Sequence, residues 1–189
     1  MDNLIENIDK KINKLEYQST FCYLHNRVGN IKEKLGKCTE IKTGKLNADA
    51  SIIDGEYPFF TCGKETLFIN HYAFEGPSIV ISGNGEIDVK YFDGKFNAYQ
   101  RTYVLQPQKY LFLFLKECQL SINMLKNNAQ GSVIKFITKG MLENISININ
   151  ADSKLINSTI KNIYNLIMDL NKQKQKLNKI KALLLEKYF

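Results

Sequence analysis

The residues of this chain that could do chemistry are hydrogen-bonding and basic side chains set beside glycines. Lys45 and Asn47 follow Gly44, Lys64 follows Gly63, and Asn84 sits inside Ser82-Gly83-Asn84-Gly85-Glu86. Lys90 and Lys95 flank the turn Asp93-Gly94, and Asn97, Tyr99, Gln100 and Arg101 follow it, while Asn128, Gln130, Ser132 and Lys135 surround Gly131. Arginine matches guanine edges, asparagine and glutamine match adenine edges, and lysine, serine and tyrosine hold phosphates. Together they suggest a surface that reads a nucleic acid. Polar turns occur on every protein, so for each residue taken alone a solvated loop is the better reading.

Other chemistries find less material. The Gly83-Asn84-Gly85 pair could bring backbone N–H groups against a dinucleotide or a methyl donor, but the third glycine is missing and a strand, not a helix, is expected next. Tyr57-Pro58-Phe59-Phe60 resembles the Pro-Pro-aromatic loop of DNA aminomethyltransferases only faintly and reads better as a buried strand. No GxSxG elbow is present, and the isolated His25 and His71 offer little for a general base. Carboxylates such as Glu86 and Asp88 could bind the metal a nuclease needs, and a self-contained nuclease is the weakest of these readings. Cys22, Cys38, Cys62 and Cys118 lie far apart with no CxxC pair and no histidine at ligand spacing, so reduced thiols and no metal are expected.

The elements that must position these residues fall into three parts. All eleven glycines lie between Gly29 and Gly140, and the three prolines lie inside that interval. This middle reads as mostly β, with strands expected at Cys38 to Lys42, Tyr57 to Cys62, Ser78 to Ser82, Asp88 to Phe92, Thr102 to Leu105, Val133 to Ile137 and Ile145 to Ile149. Asp93-Gly94 reads as the tight turn of a hairpin leading from Val89–Phe92 to Phe96. One helix, Tyr110 to Lys126, interrupts the strands.

The arms are helical. Residues 1–20 carry Ile5, Ile8, Ile12 and Leu15 at helical spacing. Residues 152–189 lack Gly and Pro after Ser153 and carry a broad apolar stripe of Ile156, Ile160, Ile163, Leu166, Ile167, Leu170, Leu177, Ile180 and Leu184. A stripe of that length needs a partner, either the chain's own core or a second copy. The middle domain is accordingly placed at 21–151. The class is α+β: a β-rich domain with one or two packed helices, flanked by a short N-terminal helix and a long C-terminal coiled-coil helix.

Charge is unevenly placed. The chain has a net charge of +7, and from Ser153 onward eight lysines face two acids, leaving a net +6 there and +1 elsewhere. The terminal helix could therefore offer a solvated face, a track for a DNA backbone or a contact to an acidic partner. No apolar run approaches the roughly 20 residues of a membrane span and the N-terminus has no secretion signal, so a cytoplasmic protein with no membrane partner is expected.

The ordered series Leu35 to Asn47, Tyr57 to Thr61, Ile81 to Gly85 and Gly94 to Leu105 resembles the target-recognition domain of type I restriction-modification specificity subunits. Gly131 to Ile137 with Leu142 to Ile147 resembles that domain's ending, and the terminal helix resembles the family's spacer. The family's subunits carry two such domains and two long helices, so this chain resembles a half-subunit with one of each. The resemblance implies a non-catalytic protein that reads double-stranded DNA through the residues named above and pairs with a second copy through the stripe. It implies partnership with a modification subunit, which would itself hold S-adenosylmethionine, and with a restriction subunit; no cofactor is expected in this chain. A helix near 50 Å would separate two readers by roughly 15 bp and favour a split, palindromic target. The alternative is a non-catalytic interaction protein, a decoy or inhibitor that occupies a modification subunit.

Overall fold

The structure is a computed structural model that describes residues 1–27, 31–131 and 133–188. It divides into two compact units, Met1–Val28 with Ala151–Phe189, and Gly29–Asn150.

The first unit is a pair of helices. Helix α1 spans Asp2–Asn26 and helix α6 spans Ser153–Tyr188. The first arm thus runs past residue 20, because Phe21, Cys22, Tyr23 and Leu24 continue a helical run with no breaker. Lys174 pairs with Asp9 and Lys181 with Asp2, each at 2.5 Å. The two contacts are seven residues apart on both helices and run in opposite directions, which sets an antiparallel register one heptad long. The hydrogen bond from Lys181 holds the Asp2 carboxyl below its usual range.

The apolar stripe of α6 therefore runs alongside α1 of the same chain instead of lying wholly open. Ile156, Ile160 and Ile167 are buried, as is Tyr164, which the stripe did not include. Ile163, Leu170 and Leu177 are half-buried, whereas Leu166, Ile180 and Leu184 remain 55%, 47% and 42% exposed. On α1, Ile8 and Tyr23 are buried, and Ile5, Ile12 and Leu15 are half-buried.

The second unit is built on two four-stranded sheets. In the first, β2 (Ile41–Thr43), β9 (Thr102–Leu105), β6 (Ser78–Ser82) and β7 (Val89–Phe92) lie in that order, all antiparallel. In the second the order is β4 (Leu67–Ile69), β3 (Tyr57–Phe60), β8 (Lys95–Ala98) and β5 (Phe74–Glu75), with β3 and β8 parallel. Phe60, Phe96 and Ala98 from the second sheet meet Val80 and Val104 from the first in one core, with Phe74 and Phe92 against it. A small third sheet pairs β1 (Ile31–Lys34) with β10 (Ser146–Ile149), so the beginning and end of this unit are clamped side by side.

Helix α3 (Leu111–Leu120) is buried from Leu111 through Cys118 and packs on β6, β7 and β10, with Tyr91 and Phe112 ring centroids 5.0 Å apart. Short helices α2 (Leu35–Cys38), α4 (Ile122–Asn127) and α5 (Lys139–Glu143) complete the unit. The Thr138 side chain caps α5 by accepting from the Met141 N–H at 3.4 Å.

Four expectations about local structure are corrected. The Asp93-Gly94 turn does not close a hairpin: β7 pairs with β6 and β8 pairs with β3 and β5, so the turn carries the chain from one sheet to the other. The aromatic side chains decide this. The Phe92 and Phe96 rings meet edge-on at 5.3 Å, and each also meets Phe60, which places residues 92 and 96 on the facing sides of two sheets. Val133 to Ile137 is not a strand; its pairing is limited to isolated bridges from Phe136 to Asn84 and Gln130. The strand expected from Cys38 is β2 and begins at Ile41, because Leu35–Cys38 is helical, and the expected 110–126 helix is divided at Ser121.

Candidate nucleic-acid interface

The strand registers bring the polar turns together. Ser82 at the end of β6 lies opposite Thr102 at the start of β9, and Thr43 at the end of β2 lies opposite Tyr103. In the second sheet β3 and β8 run parallel and end together at Phe60 and Ala98, where the Tyr99 N–H donates to the Phe60 carbonyl at 2.9 Å. The turns after β2, β3, β6 and β8 therefore leave from one end of the unit. These turns carry Lys45, Asn47, Lys64, Asn84, Tyr99, Gln100 and Arg101.

Backbone contacts fix the turns to one another. The Gln100 side chain donates to Asn47 Oδ1 at 2.7 Å, and the Gln100 N–H donates to the Leu46 carbonyl at 2.9 Å. Gly83 donates to the Arg101 carbonyl at 2.9 Å, and a Cβ at residue 83 would lie 2.1 Å from that oxygen, so only glycine allows the approach. The 129–137 segment joins the same end: Ile137 N–H donates to the Gly83 carbonyl at 2.8 Å and Gly85 N–H to the Lys135 carbonyl at 3.1 Å. Tyr103 completes the attachment by donating its hydroxyl to the Ile137 carbonyl at 3.0 Å. Burial pushes the Tyr103 phenol up, which keeps it a neutral donor.

Charge at this end is positive where it is unpaired. Lys64 pairs with Glu86 at 3.7 Å and Lys90 with Asp88 at 3.5 Å, around a cavity of about 120 Å³. Exposed pairs of this kind hold each other weakly, on the order of 0–1 kcal/mol, and yield readily to a phosphate. Among the described residues no carboxylate pairs with Lys45, Arg101 or Lys135. The Arg101 guanidinium stands 5.8 Å over the Phe136 ring. Asn84 Oδ1 is buried with no hydrogen-bond partner, an acceptor left open within the cluster.

Two expected contact residues lie elsewhere. Asn97 is buried, its amide donating to the His71 carbonyl at 3.2 Å and its oxygen accepting from the Ala98 N–H at 2.9 Å, so both ends of the amide are engaged within the fold. Lys95 lies at the opposite end of β8, its ammonium 4.6 Å from the Tyr72 ring centroid. Gln130 and Lys135 join the cluster, Asn128 is exposed just beyond α4, and Ser132 lies outside the described residues. Phe136 and Tyr103 hold the cluster together and were not among the expected residues, since apolar strand-like neighbours hid them.

Among the described residues no group of three His, Cys, Asp or Glu side chains could hold a metal ion. Burial raises the thiols of Cys22, Cys38 and Cys118, the last to about 12, the wrong direction for a nucleophile.

Residues 29–182 match the family described as Type I restriction modification DNA specificity domain. The chain belongs to that family. It is 39% identical over 125 residues to the type I restriction enzyme EcoDI specificity subunit of Escherichia coli, an alignment covering 64% of this chain and 28% of that protein. Among solved structures, the specificity domain and its helices superpose on the S subunit of a type I restriction-modification system from M. genitalium with a TM-score of 0.77 at 18% identity, over 100% of this chain and 57% of that one. The HsdS subunit from Thermoanaerobacter tengcongensis gives a TM-score of 0.56 at 14% identity, over 98% of this chain and 55% of that one. These likenesses establish an α+β specificity-subunit fold with a long C-terminal helix. The chain spans about a quarter of the curated relative and a little over half of the solved ones.

Proposed function

We propose that this chain reads a DNA sequence as the specificity component of a type I restriction-modification or modification-only system. The observation that carries this is the convergence of Lys45, Asn47, Asn84, Gln100, Arg101, Gln130 and Lys135 on one end of a unit that matches the DNA specificity family. In this reading the chain supplies recognition and no catalytic centre, and a partner modification subunit binds S-adenosylmethionine and methylates adenine. A restriction subunit is the further partner, and the complex works in the cytoplasm, where its DNA is; no described helix is long and apolar enough to cross a membrane.

The test is direct. Full-length protein, alone and with a modification subunit, is titrated with a random duplex pool at several salt concentrations. The expected result is binding whose log affinity falls linearly with log salt, at about −0.9 per phosphate contacted. Absence of salt-dependent binding in both arms, with assembly onto the modification subunit intact, would favour the decoy reading.

The half-subunit form reads a split target as a homodimer. Leu166, Ile180 and Leu184 stay exposed beside the α1 contact and supply the core of the second interface, with the half-buried Ile163, Leu170 and Leu177 beside them. The 36 residues of α6 extend about 54 Å, enough to set two readers roughly one and a half duplex turns apart. Replacing Leu166 and Ile180 together by aspartate is expected to halve the mass seen by light scattering and to leave helix content unchanged. A mass that does not change removes these residues from any dimer interface.

A further inference from the structure

Val133 and Ile134 are 92% and 60% exposed, although Ile137 three residues on is 2% exposed. The backbone holds them out. Gln130 and Phe136 exchange two backbone hydrogen bonds of 2.8 Å, which hold those two residues side by side. Gly131 adopts a φ of +98°, and a Cβ there would meet the Ile134 carbonyl oxygen at 2.3 Å, so the chain turns sharply without a side chain in the way. The Lys135 carbonyl is fixed by Gly85 and the Phe136 ring lies beneath Arg101, so the foot of the loop is anchored in the polar cluster.

An apolar tip on a fixed foot is ready for a contact that excludes water. Its surroundings say which kind. From Lys126 to Lys139 the chain holds three lysines, of which Lys139 pairs with Glu143 at 3.8 Å, and Arg101 stands at the loop's foot beside Lys135. That is a setting for a polyanion. Duplex DNA presents one apolar group in its major groove, the C5-methyl of thymine, beside the phosphates that such cations hold.

We infer that Val133 and Ile134 are specificity-determining residues that contact thymine methyl groups of the target. The inference rests on the DNA-reading function proposed above, and goes beyond it by naming a base and a chemical group. Hydrogen-bonding side chains of the cluster read base edges; this pair reads the methyl.

The test uses the full-length protein with its modification subunit and a duplex enriched from a random library. Each thymine is replaced in turn by deoxyuridine, which keeps every hydrogen-bonding group and lacks only the methyl. At one or two positions the replacement is expected to weaken wild-type binding about fourfold per methyl. The Val133→Ser/Ile134→Ser protein is expected to bind the thymine and uracil duplexes alike, with an unchanged melting curve because both side chains are exposed. Sequence-selective binding by the wild type that ignores uracil at every position overturns the inference and leaves DNA reading intact, and that arm needs no variant. A uracil penalty equally present in the variant overturns it too, and loss of assembly with the modification subunit in that case assigns the pair to protein docking. Failure of any duplex to enrich removes the inference together with the reading beneath it.

Discussion

Phe96→Ala is expected to lower the free energy of unfolding by about 3–5 kcal/mol. Phe96 is 0% exposed, and its ring centroid lies 5.4 Å from Phe60, 5.3 Å from Phe74 and 5.3 Å from Phe92. Three aromatic neighbours cannot all relax into the space the ring leaves, so much of the cavity would persist. Against a total stability of about 5–15 kcal/mol for a domain of ordinary size, such a loss is large. The site would go with it, because β8 leads directly from Ala98 into Tyr99, Gln100 and Arg101. Urea denaturation checks this through a lower midpoint with an unchanged slope. A loss below about 1 kcal/mol would mean that the two sheets do not depend on this cluster.

Arg101→Ala is expected to do the reverse, weakening target binding by about 10- to 100-fold while shifting stability by less than about 0.5 kcal/mol. The backbone carbonyl of residue 101 accepts from Gly83, and alanine keeps that bond; only the guanidinium over Phe136 is lost. Arg101→Lys separates charge from geometry. Lysine retains the positive charge and hence the salt dependence, but lacks the planar fork that matches two acceptors on one base edge. Selection with the lysine variant should therefore return a relaxed sequence at one target position. A drop in melting temperature with binding intact would instead make Arg101 a structural residue.

Long elements were legible because their signals accumulate. The absence of Gly and Pro over α6 and the repeating apolar spacing identify a helix without help from the rest of the chain, and Ser78–Ser82 and Thr102–Leu105 stand as strands within the expected bounds. Strands β1, β4, β5 and β8, of two to four residues each, carry too little periodicity to be seen. Asp93-Gly94 shows how a local rule fails. The dipeptide specifies a tight turn, but which sheet the following strand joins is settled by Phe60, Phe92 and Phe96, from places far apart in sequence. Asn97 is a related case: an asparagine just past a turn has the chemistry of a contact residue, and only the His71 carbonyl facing it reveals a side chain bonded within the fold.

Most of the candidate interface was readable as residue types, because glycine turns carry polar side chains wherever backbone approach is close. Its assembly was not. The gathering of Asn47, Asn84, Gln100 and Lys135 depends on strand registers, and the anchoring by Tyr103 and Phe136 depends on residues whose sequence context reads as β-core.

The register of α1 on α6 also bears on how the protein is made. Asp2 meets Lys181, so α1, made well before α6, waits for the far part of α6 before its partner surface exists. At about 5–20 residues per second the wait is on the order of ten to forty seconds. During that time the apolar face of Ile5, Ile8, Ile12 and Leu15 is uncovered, while finished copies nearby on the same messenger already present an α6. The ion pairs at Asp2 and Asp9 can form equally well with another copy's lysines. Until its own α6 is complete, the uncovered first arm is therefore the part of the nascent chain open to exchange with another copy.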